Sequence, residues 1–236
     1  MNIFLKPSEN KEIFIKNKRS FNFNLEKNSF FYAKNIIFDS NNESTMNIHG
    51  VLKKKSTFKY VIADFSKKNF SLNININLDG ENAAIYIDVF CLSMNNKKKI
   101  NINLNHENKN IKTTINTSGI AFDNSCIDFT NSCIVKNKCK KNILSQTGKI
   151  IVFGDNASAF IKPILKIFAN DILASHKASI GYFNNDHFFY LLSRGLKKED
   201  IKKLLINNFL QKIFLFFNNK DINSKITEIV KKIYYV

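Results

Sequence analysis

The run Leu72-Asn73-Ile74-Asn75-Ile76-Asn77-Leu78 (LNININL) alternates apolar and polar residues without a break. A period of two puts Leu and Ile on one face and Asn on the other, the pattern of a half-buried β-strand. Ile102-Asn103-Leu104-Asn105-His106 repeats it. Outward from these two, short apolar runs recur at intervals of roughly ten residues, a spacing typical of all-β architecture. They include Tyr60-Val61-Ile62, Ala84 to Leu92, Ile111 to Ile115, Cys126 to Phe129, Ile150 to Phe153 and Ile164 to Phe168.

Periodicity alone leaves sandwich, barrel and parallel β-helix open. Asp79-Gly80 is the one strong two-residue hairpin signal, and scarce Gly and Pro disfavour a fold made of many tight hairpins. A solenoid needs none, and its outward Asn can form ladders along the stack, although no clean repeat marks the coils. Residues 1–40 read as a short irregular segment in which Ile13-Phe14-Ile15 and Phe21 to Leu25 could be strands, and residues 41–181 read as the β body. Residues 182–236 read as helical. Asn184 or Asn185 can cap a short helix ending at Arg194-Gly195. A second helix from about Lys198 to Phe217 carries Ile201, Leu204, Leu205, Phe209, Ile213, Phe216 and Phe217 on one face. A third repeats the stripe at Ile222, Ile226, Ile229, Val230 and Ile233.

The chain has 236 residues, 44% of them hydrophobic, enough for a substantial core. Its formal charge of +17 points to nucleic acid or an anionic surface. Against that, the only arginines are Arg19 and Arg194, and the runs Lys53 to Lys55, Lys97 to Lys99 and Lys138 to Lys141 are short and scattered. Phosphate and base readers favour the bidentate Arg fork. Cys91, Cys126, Cys133 and Cys139 contain no C-x-x-C pair, so zinc-ribbon and thioredoxin-like sites are not suggested. No signal peptide follows Met1, and the longest apolar run, Ile213 to Phe217, cannot span a bilayer. A soluble, reducing compartment is expected, a cytoplasm (a symbiont's included) or a plastid stroma. Phosphate loops, G-x-S-x-G, H-E-x-x-H and telling carboxylate pairs are absent, which argues against catalysis by this chain alone.

Composition singles out Asp155 to Gly195. Elsewhere Asn, Lys, Ile and Phe dominate; here Ala157, Ala159, Ala169, Ala174 and Ala178, half of the chain's alanines, gather with Pro163 and Arg194. Three motifs fall in it: K-P-x-L-x-I-x-A-x-D-like Lys162 to Asp171, S-H-x-A-S-I-G at Ser175 to Gly181, and F-Y-L-L-S-R-G at Phe189 to Gly195. They resemble the carboxy-terminal signature of the SufB/SufD family of the SUF iron–sulfur cluster assembly scaffold. Gln146-Thr147, Ile150-Ile151-Val152 and Asp155 are similar to that family's Q-T-N-x-x-L-L-L-S-D segment; His106 and Gly119 fit more loosely. SufB-like chains carry H-E-A-T-T-S-K and F-Y-C-Q-Q-R-G where this chain has His176 to Tyr182 and Phe189 to Gly195, so the SufD branch is favoured.

The resemblance implies a mainly β chain, a right-handed parallel β-helix core followed by a C-terminal α-helical domain. It implies a non-catalytic scaffold subunit that pairs with a SufB-like subunit as a heterodimer and docks a SufC-like ABC ATPase. It places the family's functional histidine at His176, a possible metal ligand, at the join between the last strand and the first helix. No cofactor is held stably; a transient iron–sulfur cluster is expected at the SufB-like interface. Phe189, Tyr190, Arg194, Leu204 and Leu205 are the candidates for ATPase docking. Ala174 stands where many members have Cys, Lys177 replaces a Gly, Gly148 replaces an Asn, and the family's N-terminal helical region is missing. The alternative from the residues alone is a basic, Asn-rich β-solenoid that binds an anionic surface or nucleic acid.

Overall fold

The computed structural model describes residues 1–17, 20–38, 44–183, 189 and 192–231. Its strands divide into two seven-stranded sheets. One contains β1 (Asn2–Leu5), β3 (Phe21–Leu25), β5 (Ser44–Leu52), β7 (Phe70–Leu78), β9 (Lys97–His106), β11 (Cys126–Val135) and β13 (Ser158–Ile167). The other contains β2 (Asn10–Lys16), β4 (Phe30–Ile37), β6 (Thr57–Asp64), β8 (Ala84–Met94), β10 (Lys112–Phe122), β12 (Asn142–Phe153) and β14 (Ile172–Phe183). Each strand pairs in parallel with the strand two places on, so the chain crosses between sheets at every corner and two successive strands make one coil. The β-solenoid reading holds, and sandwich and barrel fall away.

Two features differ from the sequence reading. Residues 1–40, read as irregular with possible strands at Ile13-Phe14-Ile15 and Phe21 to Leu25, carry four strands, of which β2 and β3 contain those two runs, and they form the first two coils. Asp79-Gly80 turns no hairpin: it is the corner between β7 and β8, where both N–H groups donate to the Leu52 carbonyl of the coil before. Gly is required there by close approach, because a Cβ on Gly80 would lie 2.0 Å from the Lys53 carbonyl carbon.

The corners also contain the repeat that the sequence conceals. Ser8, Asn28, Lys55, Asn82, Asn110 and Lys141 all adopt φ between 55° and 63°. Each donates its N–H to a carbonyl one coil further on, as in Asn28 to Lys54 at 3.0 Å and Asn110 to Lys140 at 2.9 Å. Asn tolerates the left-handed region better than other side-chain-bearing residues, so three of the six corners are Asn.

Coil length grows along the axis. The register offset is 20 residues at Asn2↔Asn22 and 32 at Cys126↔Ser158. Near the narrow end the lumen is filled by Phe21, Phe23, Phe31, Phe58 and Tyr60, with Phe23 and Phe58 ring centroids 4.3 Å apart. Isoleucine and leucine fill the middle coils. At roughly 2–3 kcal/mol per fully buried large apolar side chain, this lumen is the principal source of stability.

The helices α1 (Lys198–Phe216) and α2 (Lys220–Lys231) fold back over the outer face of the even-numbered sheet. Ile201, Ile206, Phe209, Leu210 and Ile213 of α1 pack on Val61, Phe90, Leu92, Ile120 and Ile151. Phe217, just past α1, meets Phe14 of β2 at 6.2 Å. At 1.5 Å per residue the helix is about 28 Å long, and the five strand spacings from β12 to β2 span about 24 Å, so α1 crosses almost the whole sheet. The carboxyl halves of β6 to β12 are therefore buried on both faces. No described helix is long and apolar enough to cross a membrane.

Candidate functional site

The two ends of the solenoid differ. At the narrow end the inward side chains Ile3, Leu5 and Ile15 are buried, and the β2 edge carries Lys11, Glu12 and Lys16, charges that discourage strand addition. At the wide end β13 and β14 are the outermost described strands of their sheets, so both present an unpaired edge. Nearly all of β14 is exposed. Leu173 is 71% and Tyr182 52% exposed, and Phe168 beyond β13 is 65% exposed. The wide end therefore presents two strand edges flanked by exposed apolar side chains.

His176 lies in the middle of β14, not at a strand–helix join, because a strand follows Asp171 where the sequence reading placed a connection. Its register runs Ile87↔Ile115↔Gln146↔His176. The first three are buried inward residues, so His176 occupies the lumen face of the last coil. Ala174 and Ala178, two residues to either side, share that face, whereas Lys177 pairs with Thr147 on the outer face. The Lys177 departure therefore puts its charge on the side opposite His176. Gly148 leaves room for Ile161: a Cβ there would sit 2.6 Å from Ile161 Cγ2.

Below the open coil the lumen turns polar. Gln146 Nε2 donates to Cys133 Sγ at 3.1 Å and to the Ile164 carbonyl at 3.4 Å, and Asn131 Nδ2 donates to Thr117 Oγ1 at 3.2 Å. Burial pushes the Cys133 thiol up to about 12 and raises Cys91 and Cys139 as well, so these three stay protonated at neutral pH and are poor nucleophiles and ligands. Among the described residues no three His, Cys, Asp or Glu side chains converge as a metal site. His176 can offer one nitrogen ligand; further ligands have to come from elsewhere.

His106, the looser motif match, is inward and fully buried. Asn142 Nδ2, which can only donate, lies 3.3 Å from its Nδ1, so the proton sits on Nε2 and is donated to Thr113 Oγ1 at 3.0 Å. Burial lowers its pKa from 6.5 to about 4. A folded-state pKa below the unfolded value gives stability that is full above pH 6.5 and is lost as pH falls through about 4. His106 should cost the fold about 2 kcal/mol between pH 7 and pH 5. Urea titrations of the wild type and His106→Gln at both pH values check this, the variant losing less stability on acidification.

The docking candidates separate. Phe189 is exposed, Arg194 precedes the left-handed Gly195 (φ 86°), and Tyr190 lies outside the described residues. Leu204 faces outward on α1, while Leu205 is half-buried and lines a small cleft with Phe90, Ile151 and Phe209, so the shared stripe read from sequence splits between two surfaces. The sequence reading missed Leu215, the most exposed apolar side chain of α1. Lys34, Lys53, Lys54, Lys109, Lys136 and Lys162 pair with carboxylates spread over several coils.

The family model described as SUF system FeS cluster assembly, SufBD core domain, matches residues 18–209. The chain belongs to the SufBD core family. Within it, the chain is SufD-like. It is 27% identical over 144 residues to the iron–sulfur cluster assembly protein SufD of Escherichia coli (strain K12), covering 58% of this chain and 33% of that one. It is 29% identical over 92 residues to SufD of Bacillus subtilis (strain 168), covering 39% and 21%. SufD of Plasmodium falciparum (isolate 3D7) is 21% identical over 205 residues, covering 85% of this chain and 14% of the relative. The chain thus spans a third or less of these relatives' lengths. The family match takes in the open coil, His176 and most of α1.

Proposed function

We propose that this chain is a scaffold subunit for iron–sulfur cluster assembly, with no catalytic step of its own. The wide end of the solenoid pairs with a SufB-like subunit, and the cluster, as cargo, is built transiently at that joint. One observation carries the reading: His176 lies on the lumen face of a last coil whose two strand edges are unpaired and whose apolar side chains are exposed. A covering solenoid would pair both edges and enclose His176 between two lumens. A neutral imidazole there supplies a borderline nitrogen ligand to iron or acts as a base, while partner thiolates supply the soft ligands. A SufC-like ATPase docks on the helical side, where Leu204, Leu215, Phe189 and Arg194 are exposed and Tyr190 completes the motif.

His176→Ala in the reconstituted complex should abolish cluster formation while subunit pairing is unchanged. Cluster yield is read by absorbance and by iron and sulfide content, and pairing by co-purification. Normal cluster yield from the variant removes His176 from the mechanism. Loss of co-purification would instead make it a packing residue.

A further inference from the structure

We infer that Gln146 is the positioning residue for His176: its side-chain carbonyl accepts one imidazole N–H once the wide end is covered, and this turns the other ring nitrogen toward the partner. The inference rests on the proposed pairing of that end. Gln146 and His176 are register partners on the lumen face of adjacent strands, about 4.8 Å apart in the hydrogen-bonding direction. Gln146 is 1% exposed, and its Nε2 is committed to Cys133 Sγ and to the Ile164 carbonyl. Ile164 belongs to β13, in the same last coil as His176, so the amide leans toward that coil. Its Oε1 is buried and has no hydrogen-bond partner. A buried amide oxygen left unpaired in a lumen is destabilising, and the adjacent residue of its own row carries ring N–H groups.

Space allows the contact. On the lumen face His176 is flanked by Ala174 and Ala178, and Gln146 by Leu144 and Gly148, so small side chains border three of the four positions. In the free chain His176 is exposed and water satisfies its ring. Covering the end removes that water and makes Gln146 Oε1 the available acceptor. A histidine that gives one N–H to a carbonyl has a fixed tautomer and a fixed ring orientation, the usual way in which a ligating or basic imidazole is aimed.

The experiment uses the full chain with labelled imidazole nitrogens, alone and in complex with its SufB-like partner, as wild type, Gln146→Met and Gln146→Glu. Met keeps the volume and removes the acceptor; Glu keeps an acceptor oxygen. The wild-type complex should give separate protonated-type and pyridine-type nitrogen signals for His176. Gln146→Met should give the exchange-averaged pair and lower cluster yield at least tenfold, and Gln146→Glu should restore separate signals. Thermal melting and co-purification show that the variants fold and pair. Separate signals in a paired Gln146→Met complex overturn the inference. If His176→Ala leaves cluster yield intact, the proposed role of His176 fails by itself, whatever the tautomer.

Discussion

Lys98→Met should lower the unfolding free energy by about 3–5 kcal/mol, the cost of leaving one partner of a buried ion pair uncompensated. Lys98 is an inward residue of β9, in the row Phe70↔Lys98↔Ile127, with no solvent exposure at its side chain. Its Nζ lies 2.8 Å from Asp64 Oδ2, itself buried, and donates to the Ser66 carbonyl at 2.6 Å, to Ser66 Oγ at 2.9 Å and to the Lys68 carbonyl at 2.9 Å. Lys98 thus ties β9 to the corner between β6 and β7, one coil earlier. Removing the ammonium leaves Asp64 with the Ser66 N–H, 2.9 Å from Oδ1, against a buried charge. The double variant Asp64→Leu with Lys98→Met removes both charges and should recover most of the loss, because an apolar pair of similar volume often substitutes for a buried ion pair at little cost. Urea midpoints of the two variants decide it; a single variant as stable as wild type would show that the pair contributes nothing.

The same coils show what sequence could convey. LNININL announced a half-buried strand correctly, since Leu72, Ile74, Ile76 and Leu78 are buried. It could not announce a parallel neighbour, because a period of two is the same in either pairing. The deciding signal was the corner repeat at Asn28, Asn82 and Asn110, invisible in a chain rich in Asn and interrupted by Ser8, Lys55 and Lys141. β1, only four residues long, escaped notice, whereas Phe21 to Leu25 was legible as a possible strand and is β3. β14 escaped for another reason: ILASHKASIGYF lacks an apolar–polar alternation, as suits a strand with neither face buried in the free chain. His176 was legible as part of a motif, but its lumen position depends on register with Gln146. That register is set by the length of the corners on either side of β13, for which the sequence offers no rule.

Ala178→Glu should weaken pairing with a SufB-like subunit at least 100-fold and leave the free chain folded. Ala178 is exposed on β14 and shares the lumen face with His176, next to Gly148 of the coil below. In the free chain a carboxylate there stays in water, so its effect on folding is expected within about 0.5 kcal/mol. Once a second solenoid covers the wide end, the same carboxylate is enclosed beside Ile180 of its own face and near Ile161, which packs over the register partner Gly148. An unpaired buried charge costs at least about 3 kcal/mol, which is roughly a hundredfold in affinity. Lys177→Glu, on the opposite face of the same strand, is the control: it makes an acidic change twice as large in charge while leaving the lumen face unaltered. Titration of each variant against the partner, with melting curves of the free chains, separates the outcomes. Equal loss from both variants would mean that charge, not enclosure of the lumen face, governs the joint. Undiminished pairing by Ala178→Glu would move the joint away from the wide end altogether.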